Sequence, residues 1–132
     1  MENRTELYDI VDQIVDQDPR YRAEAYSFVM LAVNRTVASL KKQGHITGQE
    51  LLAGIREYAL DEFGPMAKTV FDHWGIHQTL DFGHIVFNLV GHGLLGKTDS
   101  DRLEDFAGGY DFEETFVRDY PWTGAPPARE EL

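Results

Sequence analysis

The stretch that decides the fold covers residues 79–112, TLDFGHIVFNLVGHGLLGKTDSDRLEDFAGGYDF. Its first half has apolar residues at spacings of three and four, which is typical of an amphipathic helix beginning at Thr79. The buried stripe of this helix is expected to contain Phe82, Ile85, Val86, Leu89 and Val90. Glycines at positions 91 and 93 weaken the helix, so it is expected to end there.

A short β-hairpin is predicted to follow this helix. Its strands would be residues 94–98 and 102–106, joined by a polar turn at residues 99–101. A recognition helix followed by a hairpin is the order of elements in a winged helix. The favoured fold is therefore mainly α, with about five helices plus a small C-terminal β-hairpin, winged-helix-like from about Gly48 to Phe112. A plain helical bundle with an irregular acidic end is the alternative.

Four further helices are predicted before the decisive stretch, because apolar residues recur at helical spacing in each. They cover about residues 6–17, 22–43, 48–62 and 66–74. Thr47 and Glu50 have the spacing of a capping box at the start of the third helix. Gly54 inside that helix costs about 1 kcal/mol relative to alanine, which suggests a close helix contact. Met66 is expected on the inward side of the fourth helix.

Length and composition indicate one cytoplasmic domain. The chain has 132 residues and no cysteine, which predicts a single domain over residues 1–120 and excludes disulfide and thiolate chemistry. Three of the five prolines lie from position 121 onward, so residues 121–132 are expected to form a flexible, Pro-rich acidic tail. There is no apolar run long enough to span a membrane and no signal-peptide pattern at the N-terminus.

The negative charge is concentrated at the two ends of the chain. The net charge of −11 divides into −5 for residues 1–18, +1 for residues 19–98 and −7 for residues 99–132. Acidic ends would repel a phosphate backbone, because affinity for nucleic acid depends on neutralising phosphates with Lys and Arg. This distribution argues against nucleic-acid binding by the whole chain, although a local basic patch would still be compatible with it.

The histidines do not have the spacing of a metal site. His84 and His92 share a helix face but lie roughly 12 Å apart along its axis, too far to hold one ion. His73 and His77 are separated by a helix end, so they are not the i, i+4 pair that zinc sites use. No Gly-x-Ser-x-Gly elbow or phosphate-binding loop is present. No catalytic, cofactor-binding or metal residue is therefore predicted, and an enzyme is disfavoured.

The outer face of the fifth helix is the main candidate for binding. His84, Asn88 and His92 make it uncharged at neutral pH, and no Lys or Arg occurs between Lys68 and Lys97. A helix that reads DNA would be expected to carry such residues. A protein partner therefore fits this face better. Alternatively, the face is only solvated, or it is covered by helix one or two.

These observations predict a non-enzymatic protein-interaction or regulatory module. Tyr110, Phe112 and Phe116 are expected to pack back on the body and to form an aromatic, acidic end that offers a second contact. The predicted partner-binding residues are His84, Asn88, His92, Lys97, Arg102, Tyr110 and Phe112. One alternative is a nucleic-acid- or ribosome-associated factor that uses Arg20, Arg22, Arg35, Lys41 and Lys42. A second alternative is a small metal-dependent enzyme.

Several short motifs in order carry a family resemblance. They are Asp18-Pro19-Arg20-Tyr21, Glu24-Ala25-Tyr26, Thr47-Gly48-Gln49-Glu50-Leu51-Leu52, Gly54-Ile55-Arg56-Glu57-Tyr58-Ala59, Phe63-Gly64-Pro65-Met66-Ala67, Trp74-Gly75, Asp81-Phe82-Gly83, Ile85-Val86-Phe87-Asn88-Leu89-Val90, Glu104-Asp105-Phe106 and Tyr110-Asp111-Phe112. Over residues 18–116 the chain resembles a family of small, uncharacterised bacterial proteins. The resemblance implies a bacterial origin and one continuous domain, and it brings no activity, cofactor or catalytic residue.

Overall fold

The computed structural model describes residues 2–41, 46–96 and 102–118, with side chains from residue 6 onward. Its five α-helices are α1 (Glu2–Gln17), α2 (Ala23–Leu40), α3 (Gly48–Phe63), α4 (Ala67–Trp74) and α5 (Thr79–Gly91). Two 3₁₀ turns, Gly64–Met66 and Leu103–Phe106, and a π-helical segment, Glu114–Arg118, complete the described elements. The five predicted helices are thus confirmed.

The predicted β-hairpin, and with it the winged-helix-like fold, is wrong. No β-strand occurs in the described residues, and the proposed second strand is the 3₁₀ turn Leu103–Phe106. Leu103 and Phe106 are three residues apart, which places them on one side of a helical turn rather than on one face of a strand. The proposed hairpin turn and the end of the first strand, residues 97–101, lie outside the described residues. The alternative of a helical bundle with an irregular end agrees with the described chain.

The 3₁₀ turn lies directly on α5. A Cβ atom at Gly83 would be 2.9 Å from Cβ of Phe106, so only glycine permits this approach. The hydroxyl of Thr79 donates to the carbonyl of Phe106 at 2.5 Å and accepts the amide of Gly109 at 2.9 Å. These contacts fix the chain after α5 against the start of the same helix.

The core is built around α2, which packs against α3, α4 and α5. Phe71 of α4 lies in the middle of an aromatic cluster, with ring centroids 5.2 Å from Phe82 and 5.6 Å from Phe28. Phe112 and Phe116 join the same cluster at 5.5 and 5.6 Å from Phe71. Since aromatic pairs add about 0.5–1.5 kcal/mol to their area burial, this cluster fixes the C-terminal segment to the helices.

The expected close contact at Gly54 is present between α2 and α3. A Cβ atom at this position would be 1.9 Å from Oγ1 of Thr36, which itself donates to the carbonyl of Ala32 at 2.7 Å. The capping box at the start of α3 is also confirmed, because Thr47 and Glu50 exchange hydrogen bonds of 3.0 and 2.9 Å. Local sequence signals therefore determine the position of α3.

Met66 does not face inward as expected. Its side chain is 54% exposed, whereas Ala67 and Phe71 are fully buried. The 3₁₀ turn Gly64–Met66 precedes α4, and the inward stripe of α4 begins at Ala67 and continues through Phe71 and Trp74. The sequence places Met66, Val70, Phe71 and Trp74 on the inward side, so Phe71 is assigned correctly and Met66 is not. The tighter turn thus moves the stripe by one residue and leaves a methionine at the surface.

No helix among the described residues is both long and apolar enough to cross a lipid bilayer.

Candidate functional site

Asn88, at the centre of the predicted binding face of α5, is engaged within the protein. Its Nδ2 donates to Oδ2 of Asp18 at 2.9 Å and to the hydroxyl of Tyr26 at 3.0 Å. Asp18 belongs to the connector between α1 and α2, residues 18–22, and Tyr26 lies in α2. This part of the face is therefore covered by the connector and by α2, close to the alternative that the sequence left open.

Asp18 is held as a carboxylate by its neighbours. Arg20 donates from Nε and Nη2 to its two oxygens at 2.8 and 2.7 Å, in the bidentate geometry of strong ion pairs. This arginine lowers the pKa of Asp18 well below its usual range, against a smaller effect of burial, and Asn88 lowers it further. Burial raises the pKa of Tyr26. The acceptor of the Asn88 amide is therefore ionised at neutral pH, while the tyrosine stays protonated.

A second hydrogen bond anchors the connector to the start of α5. The hydroxyl of Tyr21, a buried residue, donates to Oδ1 of Asp81 at 2.6 Å. Oδ2 of Asp81 accepts the backbone amides of His77 and Gln78 at 2.8 and 3.1 Å. Burial is the main reason that the pKa of Tyr21 is raised, and the bond to Asp81 adds to it. Asp81 thus caps α5 and ties the connector to it.

The connector also contacts the end of α4. Gly75 ends that helix with a φ of +88°, and a Cβ atom there would be 2.1 Å from the carbonyl oxygen of Arg20. The backbone amide of Arg22 donates to the carbonyl of Trp74 at 3.2 Å. Glycine at position 75 is therefore required both by its backbone conformation and by the approach of the connector.

His84 and His92 lie at the edge of this region and are half-buried. Nδ1 of His92 is 3.0 Å from the carbonyl oxygen of Asn88, one turn earlier, so a proton on Nδ1 completes a hydrogen bond. No group of three or more His, Asp or Glu side chains in the described part of the chain is arranged to hold a metal ion. The two histidines can contact a partner only along one margin of α5.

Arg102 is exposed and precedes the 3₁₀ turn Leu103–Phe106, where its backbone amide donates to Oδ2 of Asp105 at 3.2 Å. Lys97, the other predicted basic contact, lies outside the described residues.

Tyr110 and Phe112 help to hold the C-terminal segment in place. Phe112 is only 5% exposed and belongs to the aromatic core. Tyr110 is half-buried, and its hydroxyl donates to the carbonyl of Leu52 at 2.7 Å. Burial raises the pKa of Tyr110. Phe112 thus lies beneath the surface and is not available to a partner, whereas the residues next to it in the sequence, Asp111 and Glu113, are exposed.

Two open clefts are present in the described surface. One, of about 230 Å³, runs between α2 and α3. It is lined by Arg35, Thr36, Ser39, Leu40, Glu50, Ala53, Gly54 and Glu57.

The other cleft, of about 340 Å³, lies between the start of α5 and residues 108–112. Its polar lining is engaged internally, since His77 contacts Asp72 at 3.1 Å and Thr79 and Tyr110 bond to backbone carbonyls. It therefore resembles a surface groove more than a reaction centre.

The remaining feature is an exposed apolar and acidic surface formed by the last described segment. Asp111 starts this segment by accepting the backbone amide of Glu114 on its Oδ1 at 2.9 Å. The segment packs against the 3₁₀ turn Gly64–Met66. Met66 is 54% and Val117 42% exposed. We define the Met66–Val117 patch as the exposed residues of the 3₁₀ turn and of residues 113–118. They are Pro65, Met66, Glu113, Glu114, Val117 and Arg118.

Comparisons of this chain with protein-family models, curated proteins and solved structures give no match. The resemblance to a bacterial family therefore stays a prediction.

Proposed function

We propose that this protein is a non-enzymatic protein-interaction module. The observation that carries the proposal is the way the C-terminal segment is held. Phe112 and Phe116 are buried in the aromatic core, while Glu113, Glu114 and Val117 between and after them are exposed. A surface fixed in this way does not have to be ordered when a partner binds, which removes part of the entropic cost of association.

The acidic side chains at this end are available to a partner. Among the described residues, Glu62, Glu113 and Glu114 have no Lys, Arg or His within ion-pair distance. Lys68 is nearby, but its Nζ donates to Oδ2 of Asp72 at 3.0 Å. That hydrogen bond is the main reason that the pKa of Lys68 is raised, and the charges of Glu113 and Asp111 add to it. Local charge therefore favours a cationic partner.

The basic residues of the nucleic-acid alternative are largely used inside the protein. Arg20 binds Asp18, and the Nε of Arg22 donates to the carbonyl of His73 at 3.3 Å. Arg35 forms an ion pair with Asp61 and stacks over the ring of Tyr58. Lys41 is exposed at the end of α2, and Lys42 lies outside the described residues. Since nucleic-acid affinity requires free cations that face phosphates, these contacts weigh against that alternative.

Affinity capture tests the proposed function. The full-length chain carrying a tag is incubated with native-cell lysate, with and without nuclease, and the retained proteins are identified by mass spectrometry. A candidate is then purified, and its binding is measured by titration calorimetry. We expect a specific protein that is retained after nuclease treatment. Loss of all retained protein on nuclease treatment, together with a steeply salt-dependent shift of duplex or structured RNA, would instead support the nucleic-acid alternative.

A further inference from the structure

We infer that the Met66–Val117 patch is the docking site for a basic amphipathic segment of a partner protein. This inference rests on the proposed function and adds to it the class of partner and the residues that contact it.

The apolar component of the patch comes from two separate elements that pack together. Met66 ends the 3₁₀ turn Gly64–Met66, and Val117 lies in the π-helical segment Glu114–Arg118. Both elements rest on buried residues, since Ala67 follows Met66 directly and Phe116 precedes Val117, each fully buried. Methionine adapts its shape to different apolar partners and is common at surfaces that accept helices. The patch therefore offers an apolar surface on a rigid base.

The charge around the apolar residues determines which partner fits. Glu62 lies shortly before the 3₁₀ turn, Glu113 directly precedes the facing segment, and Glu114 lies in the first turn of that segment. Lys68 is already bound to Asp72, and the exposed Arg118 ends the segment, so the three acids still outnumber this one cation. An amphipathic segment with Lys or Arg beside its apolar face would neutralise these acids while covering Met66 and Val117.

Other occupants match this surface less well. A second copy of the chain would bring the same acids face to face, and the net charge of −11 adds long-range repulsion between copies. An anionic lipid surface or a nucleic acid would be repelled for the same reason. Leu31 is as exposed as Met66, at 54%, but it lies on α2, outside the two elements that form the patch. It therefore serves as a matched control.

The test uses synthetic peptides and the full-length chain. The probe is a fluorescent peptide of Leu and Lys in helical spacing. One control peptide has the same composition in scrambled order, and a second has Glu in place of Lys. Binding is measured by fluorescence anisotropy at low and physiological salt. Circular dichroism checks that every variant remains folded.

Two pairs of variants separate the patch from general properties of the surface. Met66→Gln removes the apolar contact, and Leu31→Gln makes the same change at an equally exposed position. The double variant Glu113→Gln/Glu114→Gln removes two charges at the patch. Asp9→Asn/Asp12→Asn removes two charges from the exposed face of α1. Both members of the second pair have the same net charge, so a difference between them reports on position alone.

We expect the wild-type chain to bind the amphipathic peptide more tightly than either control peptide. Met66→Gln should weaken binding about fivefold, because a partner can cover only the half of the methionine side chain that is exposed in the free protein. Removing the two patch acids should weaken it by about threefold to tenfold at low salt. The Leu31 and α1 variants should change it by less than about twofold.

Two results would overturn the inference. In the first, the peptide does not bind although the tagged chain still captures a protein from lysate, which leaves the proposed function intact. In the second, both double variants weaken binding equally, which means that total charge and not the patch attracts the peptide. If neither peptide nor lysate protein binds, the proposed function fails as well.

Discussion

Replacing Asn88 by alanine tests whether the centre of the α5 face is structural. The Nδ2 group donates to the ionised Asp18 at 2.9 Å and to the hydroxyl of Tyr26, whose side chain is buried, at 3.0 Å. A hydrogen bond to a charged group contributes about 1.5–3 kcal/mol and one to a neutral group about 0.5–1.5 kcal/mol. Partial exposure of the site places both contributions at the lower end of these ranges.

The gain in helix propensity offsets part of this loss. Alanine is more favourable than asparagine in a helix interior by up to about 0.7 kcal/mol. The expected net loss for Asn88→Ala is therefore about 1.3–2 kcal/mol in the free energy of unfolding. In thermal unfolding this corresponds to a fall in Tm of roughly 5–8 °C for a chain of this size.

The assay is urea unfolding followed by circular dichroism, with Asn34→Ala as the control. Asn34 is exposed in α2 and forms no side-chain hydrogen bond within the described part of the chain, so its replacement gains the same helix propensity without that loss. The control should be neutral or slightly more stable. If Asn88→Ala unfolds within about 0.5 kcal/mol of Asn34→Ala, the hydrogen bonds of Asn88 do not hold the connector and this reasoning is refuted.

Three further predictions concern the fold. Because the pKa of Asp18 is lowered in the folded state, its contribution to stability is complete above about pH 4 and is lost as the pH falls further. In urea unfolding, Asp18→Asn should therefore lower the free energy of unfolding less at about pH 3 than at about pH 6. Gly54→Ala should destabilise the fold by about 1–3 kcal/mol, because the added Cβ meets Thr36. Gly91→Ala is the control: nothing lies within 4 Å of its new Cβ, so it should stabilise the fold by up to about 1 kcal/mol. Equal effects of the two variants in thermal unfolding would contradict the packing of α2 on α3. Tyr110→Phe should cost about 1 kcal/mol in the same measurement, because it removes the hydroxyl donor to the Leu52 carbonyl, which within α3 also takes part in the helix hydrogen bonds. An unchanged Tm would contradict that role.

The five helices could be predicted from the sequence because their signals are local. Apolar spacing, the Thr47–Glu50 capping box and the glycines that end helices all act within a few residues. The C-terminal element could not be assigned in this way. The strand predicted over residues 102–106 is wrong. The i, i+3 spacing of Leu103 and Phe106 and the capping pair Arg102–Asp105 are the local features that favour a 3₁₀ turn.

The site was predicted less completely than the fold, because its geometry depends on contacts between distant parts of the chain. Asp18 and Asn88 are 70 residues apart, and no periodicity in either segment indicates that they meet. The sequence marks the Asp18-Pro19 pair as a break between helices and Arg20 as a free cation, but it does not indicate that this connector contacts α5. Met66 was assigned to the core because the helical spacing around it was continued through a 3₁₀ turn that shifts the inward face.

The proposed contact of a partner with the Met66–Val117 patch, and not with the outer face of α5, can be tested on the intact chain. The most direct measurement is a titration of the ¹⁵N-labelled chain with the basic amphipathic peptide, followed by two-dimensional NMR. We expect the largest shift changes in the amides of residues 62–68 and 111–118, while the side-chain amide of Asn88 is unchanged. Largest changes at His84, His92 and the Asn88 side chain, with residues 111–118 unaffected, would contradict it.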